Sequence, residues 1–243
     1  MNNSSRSEKW KKIWNKKGEE KDKEIHHLNG FNYLTELQYS EICKILLSPL
    51  NIKNTDKVIE CGCGAGAFLI NVKKIFNVSD ITGVDYSKKI LDHAKSNLNG
   101  KFFNGSIDSM NFLESNTYDI VLNFSVLHYL NNEEMARNTV KEFIRISKPG
   151  GKIFIGDVND LDKIDIYHTK RKKSHESESH LKTLVSNEKL TTNHLLLTKD
   201  FFKKIVNEFE NIKLLNIIDH DELEFSKYYP CSPYRYSVYL EKM

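Results

Sequence analysis

Between residues 55 and 158 the apolar positions change period several times. Short continuous runs alternate with stretches in which every third or fourth residue is apolar. Val58 to Cys61 is a short apolar run, and Ala65 to Phe76 follows with helical spacing. Asp80 to Asp85 predicts a second strand, and Ser87 to Asn97 a helix with Ser87 as its N-cap. Lys101 to Asn104 is a brief strand. Tyr118 to Phe124 is apolar almost throughout, as a strand buried on both faces requires. Glu133 to Ser147 predicts a helix stopped by Lys148-Pro149-Gly150-Gly151, and Lys152 to Gly156 the next strand. Repeated βα units of this kind imply a doubly wound α/β fold, a mostly parallel sheet with helices on both faces.

The flanks are patterned differently. Glu8 to Glu24 is a charged helical segment with Trp10, Ile13 and Trp14 at helical spacing and Gly18 as a break. Its tryptophans either dock it on the domain or make it a lid over a ligand. Tyr33 to Leu47 predicts an amphipathic helix whose Leu34, Leu37, Ile42, Ile45 and Leu46 face the core. His168 to Lys189 is polar, with Leu181, Leu184 and Val185 as its apolar residues, and reads as an inserted flap. Thr198 caps a helix running to Glu208, and Ile212 to Asp219 and Tyr234 to Leu240 are two last strands. One domain is expected: a helical cap over 1–50, a core over 51–158, an insertion over 159–197 and a closing helix and strands over 198–243.

The balance of 36 basic against 33 acidic side chains gives a net charge of +3, scattered rather than gathered on one face, which disfavours nucleic acid as partner. Cys43, Cys61, Cys63 and Cys231 lack the spacing of a disulfide scaffold or a zinc knuckle, so a reduced, cytoplasmic setting is expected. A membrane span is not expected, since no apolar stretch approaches the required length.

The strongest local signal is Glu60-Cys61-Gly62-Cys63-Gly64-Ala65-Gly66, directly after a strand and opening a helix. Glycines there allow positive φ and close ligand approach, and the helix start offers free N–H groups. Gly62, Gly64 and Ala67, with Asp85 downstream, also satisfy the G-x-G-x-x-A dinucleotide fingerprint, so a nicotinamide oxidoreductase stays open at this point.

Glu60-x-Gly62-x-Gly64-x-Gly66 resembles the first motif of the class I S-adenosylmethionine methyltransferases, E/D-x-G-x-G-x-G. Gly83-Val84-Asp85-Tyr86-Ser87 resembles the second motif, whose acid accepts from both ribose hydroxyls. Asn104-Gly105-Ser106-Ile107-Asp108 is similar to the adenine-binding turn, with Ser106 where the family usually has Asp. Asn123 and Phe124, ending the strand from Tyr118, and Lys148-Pro149-Gly150-Gly151 continue the likeness. The resemblance implies a Rossmann-like, seven-stranded sheet with an antiparallel last strand. It also implies S-adenosylmethionine as cofactor, held by Glu60, Gly62, Cys63, Gly64, Gly66, Asp85, Tyr86, Ser106, Ile107, Asn123 and Phe124.

Methyl transfer from a sulfonium needs alignment above all, and a base only where the acceptor must lose a proton. His128, just after the fourth strand, is the first candidate base, and Asp157 the second. Asp157, Asp160 and Asp162 read more simply as a solvated, capping surface than as a cation site, so no metal is expected. Tyr33, Tyr167, His168, Tyr234 and Arg235, with His128, are the candidates for binding the acceptor; Arg235 suits a phosphate or carboxylate. Lys170 to Lys173 reads as a solvated loop, and His175 and His180 suggest no metal.

Strand four ends without the Asn/Asp-Pro-Pro-aromatic turn of enzymes that methylate bases or glutamine. The expected acceptor is a small polar molecule, methylated on oxygen, such as a sugar or nucleotide-linked precursor, by a monomer or homodimer. Methylation of a small amine, of RNA or of protein, and a non-catalytic cofactor-binding subunit, are the other readings.

Overall fold

The computed structural model describes residues 6–177 and 194–243, and of residues 172–177 the backbone only. Seven strands form one sheet in the order β3-β2-β1-β4-β5-β7-β6. They are β1 (Val58–Cys61), β2 (Ile81–Asp85), β3 (Lys101–Asn104), β4 (Tyr118–Phe124), β5 (Ser147–Asn159), β6 (Ile212–Asp219) and β7 (Arg235–Lys242). The first five run parallel, and β7 lies antiparallel between β5 and β6. Chain order reverses between β1 and β4, so a crevice opens at the carboxyl ends of these two strands.

The described helices are α1 (Arg6–Lys17), α2 (Ile25–Leu28), α3 (Glu36–Leu47), α4 (Ala67–Phe76), α5 (Lys88–Asn97), α6 (Glu133–Ile146), α7 (Ile164–Ser177) and α8 (Lys199–Glu208). Side chains alternate across the sheet, as a period of two demands. Val58, Ile120, Leu122 and Phe154 enter one apolar core with α3 and α4; Ile59, Val121, Ile153 and Ile155 enter the other with α6 and α8. Both faces being covered is why β4 reads as a near-continuous apolar run. Among the described residues no helix is long and apolar enough to cross a membrane.

Several boundaries differ from the sequence pattern. The third helix starts at Glu36 rather than Tyr33, because Thr35 and Gln38 close a capping box there. Its buried stripe is Tyr39, Ile42, Cys43, Leu46 and Leu47, while Leu37 is 83% exposed. The helix after the glycine loop begins at Ala67, since Gly66 takes a left-handed φ. Ser87 stands at the N-cap of α5, but its hydroxyl donates to Asn15 Oδ1 (2.7 Å) and so ties α5 to α1. The helix before Lys148 to Gly151 ends at Ile146 as expected, but the turn itself belongs to the next strand. A bulge opposite Tyr118 and Ile120 lets β5 run on from Ser147 to Asn159.

The inserted segment leaves and returns at one point. Asp160 bridges Leu197, and Leu195 N–H donates to the carbonyl of His128. Between these ends the chain forms α7. Leu181, Leu184, Val185 and His180, and the side chains of Lys172, Lys173 and His175, lie outside the described residues.

Candidate active site

At the end of β1 the glycine loop is held from three sides. Gly62 and Cys63 N–H both donate to the carbonyl of Val84 (2.7 and 3.0 Å). Gly62 has φ +86°, and a Cβ there would meet Val126 Cγ2 at 2.5 Å, so only glycine fits. Asn29, just after α2, accepts from Ala65 N–H (2.7 Å) and donates to the carbonyl of Cys63 (3.1 Å). That pair of bonds fastens the N-terminal segment to the loop.

Asp85, ending β2, faces the loop. Its two oxygens accept from Gly64 N–H (2.9 Å) and Ser87 N–H (2.8 Å). Burial still pushes its carboxyl up to about 6, against those two donors. Glu60 is fully buried, and burial, then the charge of Asp85, pushes its carboxyl well up, against a bond from Leu69 N–H in the first turn of α4. Glu60 Oε2 and Asn123 Oδ1 are buried and have no hydrogen-bond partner, though Asn123 Nδ2 donates to the carbonyl of Cys61 (2.7 Å).

A cleft of about 120 Å³ opens between the ends of β1, β2 and β4. Gly62, Asp85 and Tyr86 form one wall, and Gly105, Ser106 and Ile107 another. Val126, Tyr129, Leu130 and Met135 close the floor, while Ser7, Glu8 and Lys11 of α1 lie across the top. Helix α1 is docked by Trp10 against Tyr129 (4.6 Å between rings) and His194 (5.1 Å), and by Arg6 on the carbonyls of Leu130 and Asn131.

A second, buried polar cluster lies at the ends of β4, β5 and β7. Asp157 Oδ1 accepts from Tyr229 OH (2.6 Å), and Oδ2 lies 3.4 Å from Arg235 Nη1 without a hydrogen bond of its own. The same Nη1 donates to the Asp157 carbonyl and to His128 Nδ1 (3.0 Å). A guanidinium only donates, so His128 Nδ1 must be the unprotonated nitrogen. Burial, then Arg235, lowers the His128 pKa well below its usual value, so the ring is neutral with its proton on Nε2. His194 repeats the pattern: Nδ1 faces Arg171 Nη1 (3.0 Å), and Nε2 is buried without a partner. His220 is held down at about 4, burial outweighing the pull of Asp157.

Residues 58–151 match the family model described as a methyltransferase domain. The matched segment contains the whole glycine loop, Asp85 and the turn at Ser106. Over that segment the chain is similar to the class I S-adenosylmethionine methyltransferases. It is 29% identical over 146 residues to an uncharacterized methyltransferase of Schizosaccharomyces pombe, covering 54% of this chain and 51% of the relative. It spans about half the length of the curated relatives it matches. Its fold is that of a Leishmania major S-adenosylmethionine-dependent methyltransferase (TM-score 0.65, 16% identity, covering 98% of this chain and 83% of that one). Magnesium protoporphyrin IX methyltransferase from Synechocystis, solved with bound S-adenosylmethionine, is similar over the full length of both chains (TM-score 0.62, 11% identity).

The cleft gathers five of the expected cofactor residues: Gly62, Asp85, Tyr86, Ser106 and Ile107. Glu60, Cys63, Gly64, Gly66 and Asn123 are not among the residues lining the cleft. Phe124 is a correction. Its ring is 4% exposed and stacked between Phe31 and Phe68 (5.5 and 4.6 Å), so it packs the core. Ser106 donates to Asp108, which does not line the cleft.

Of the acceptor candidates, Arg235, His128 and Tyr234 belong to the polar cluster or its border, with Tyr167 edge-on to Tyr234 at 5.5 Å. Tyr33 is half exposed and stacks on Tyr229 at 6.1 Å. His168 is exposed on α7 and joins none of these groups but the edge of Tyr167. The expected solvated surface at Asp157 and Asp160 is also corrected. Both are 1% exposed; Asp160 does cap its turn, accepting from Asp162 N–H. Sequence reasoning missed Asn29, Val126, Tyr129, Met135 and the α1 residues. Ser7, Trp10, Lys11 and Trp14 share one helix face, the signal from which the last could have been found.

Proposed function

We propose that this protein transfers a methyl group from S-adenosylmethionine to an oxygen of a small polar acceptor, and works in the cytoplasm. The observation that carries the reading is Asp85: a buried carboxylate lining the cleft at the ends of the strands, with Gly62 beside it in a loop where a Cβ would not fit. The unpartnered Glu60 Oε2 and Asn123 Oδ1 fit the ammonium end of such a cofactor, because both are acceptors lacking a donor. Once bound, the cofactor supplies an activated methyl for in-line displacement, and the residues here serve to align and exclude water.

His128 expected as a base takes a different role in this proposal. With Nδ1 engaged by Arg235 and its proton on Nε2, His128 offers a donor, which orients an acceptor oxygen. Asp157 Oδ2, buried and without a hydrogen bond, is the group able to take a hydroxyl proton. His194 Nε2, buried without a partner, adds a second donor, its ring 4.7 Å from that of His128, so the acceptor favoured is one rich in oxygens, such as a sugar or a nucleotide-linked precursor. The four cysteines are unpaired, in keeping with a reducing compartment.

Calorimetry with S-adenosylhomocysteine, followed by a metabolite screen for methyl transfer, tests the proposal. Binding with turnover on a small hydroxylated acceptor is expected. His128→Gln, which keeps a donor near Nε2, should retain turnover where His128→Ala loses it. Failure to bind S-adenosylhomocysteine, or label appearing in macromolecules alone, overturns it.

A further inference from the structure

A third group of polar side chains lies outside both clusters, where α2 meets the turn before α3. Glu24, His26 and His27 place one ligand atom each within 4.8 Å of one another. His26 Nε2 lies 3.3 Å and His27 Nε2 3.7 Å from Glu24 Oε2. Both imidazole nitrogens also face the carbonyl oxygen of Leu34, at 2.9 and 3.4 Å. Each Nε2–H can donate to the Leu34 carbonyl, which leaves the 60% exposed Glu24 carboxylate to solvent. A single dication would satisfy all four atoms at once.

The distances are also compatible with a dication. Zinc bonds of about 2.0–2.2 Å arranged tetrahedrally set their ligand atoms about 3.3–3.6 Å apart. Four of the six separations, 2.9, 3.3, 3.4 and 3.7 Å, scatter about that edge, with two nitrogens, a carboxylate and a carbonyl as donors. Two imidazoles select a borderline metal over calcium or magnesium, which prefer all-oxygen shells. The rings are held in place: His26 is 4% exposed and stacks on Tyr39 (5.5 Å), and His27 lies 4.3 Å from it. The Glu24 side chain is 60% exposed, which leaves a path for the ion.

We propose that Glu24, His26 and His27 form a structural zinc site, with the Leu34 carbonyl at the fourth corner. The ion clips α2 to the turn before α3. It thereby fixes Asn29, two residues beyond His27, whose side chain bridges Ala65 and Cys63 of the glycine loop.

The test uses the full chain, stripped with a chelator, desalted and titrated with zinc chloride alone. One equivalent should bind tightly and raise the melting temperature. His27→Gln and Glu24→Gln, both at partly exposed positions, should each weaken that equivalent by at least about a hundredfold and abolish the thermal shift. The magnitude follows because losing even an outer partner of a ligand costs about ten- to a hundredfold. Equal affinity in wild type and either variant would place the zinc elsewhere on the chain, and absence of a tight equivalent would remove the site; both overturn the proposal. Neither measurement involves S-adenosylmethionine, so the result stands apart from the methyltransferase reading.

Discussion

Asp85→Asn, read against pH, is the sharpest perturbation of the cleft. The wild-type carboxyl is 6% exposed and pushed up to about 6 by burial, against the Ser87 and Gly64 N–H groups. An unfolded aspartate titrates near ~3.9. The folded chain therefore keeps this proton to higher pH than the unfolded chain. Its stabilising contribution is fully present below about pH 3.9 and is lost as pH rises through about 6, a change of about 3 kcal/mol for a shift of about two units. A ligand that donates hydrogen bonds to the charged form has the opposite dependence. Its affinity is full above about pH 6 and falls about tenfold per unit below.

Asparagine removes the charge and also turns one oxygen into a donor. That donor must face Gly64 N–H or Ser87 N–H, which costs about 1–3 kcal/mol for the orphaned pair. Adding the lost charge-assisted bonds to the ligand gives a fall of about 3 kcal/mol or more, at least about a hundredfold in Kd. Calorimetry with S-adenosylhomocysteine from about pH 7.5 down to about pH 5 reads both effects, since the ligand itself does not titrate in that window. A flat profile across the window, or binding by Asp85→Asn within about threefold of wild type, refutes the reasoning.

Two further substitutions probe the frame. Gly62→Ala forces a side chain into a left-handed position and against Val126 at 2.5 Å, and should lower stability by about 2–4 kcal/mol, read as a fall in denaturation midpoint with loss of S-adenosylhomocysteine binding. Arg235→Met leaves Asp157, 1% exposed, without its cation and should destabilise by about 3–5 kcal/mol in urea titration, while S-adenosylhomocysteine binding to the surviving folded fraction changes little.

The parallel core was legible because both faces of the sheet are covered, so strand and helix periods stand out along the chain. The glycine loop was legible because close approach demands glycine. What was hidden depends on residues brought together by register. Arg235, Asp157 and His128 meet only because Asn159 pairs with Arg235 and Phe124 with Gly156, an alignment no local pattern encodes. Asn29 is a lone asparagine before a glycine, indistinguishable from a turn residue until its two bonds to the loop are seen. Lys148 to Gly151 marked the end of α6 correctly but hid the start of β5, because here Gly150 takes φ +77° inside a bulged strand.

The backbone itself marks where the polar cluster was installed. Ser125 and Asp157, which follow the paired residues Phe124 and Gly156 on adjacent strands, have φ of +61° and +62°. Glycine would relieve both at no steric cost. Holding a side chain there costs about 1–3 kcal/mol in each case, less for Asp, which tolerates the left-handed region better. Ser125 N–H donates to the Gly156 carbonyl, so the two departures from the sheet are coupled. The turn at Ser125 sends the chain to Val126 and His128, and the turn at Asp157 leaves its carboxylate against Tyr229 and its carbonyl under Arg235. A glycine at 157 would keep the fold and lose both the buried acid and the partner that holds Arg235 against His128. The strain thus sits at the carboxylate that the proposed function uses, which is the physical ground for proposing Asp157 as part of the chemistry rather than of the scaffold.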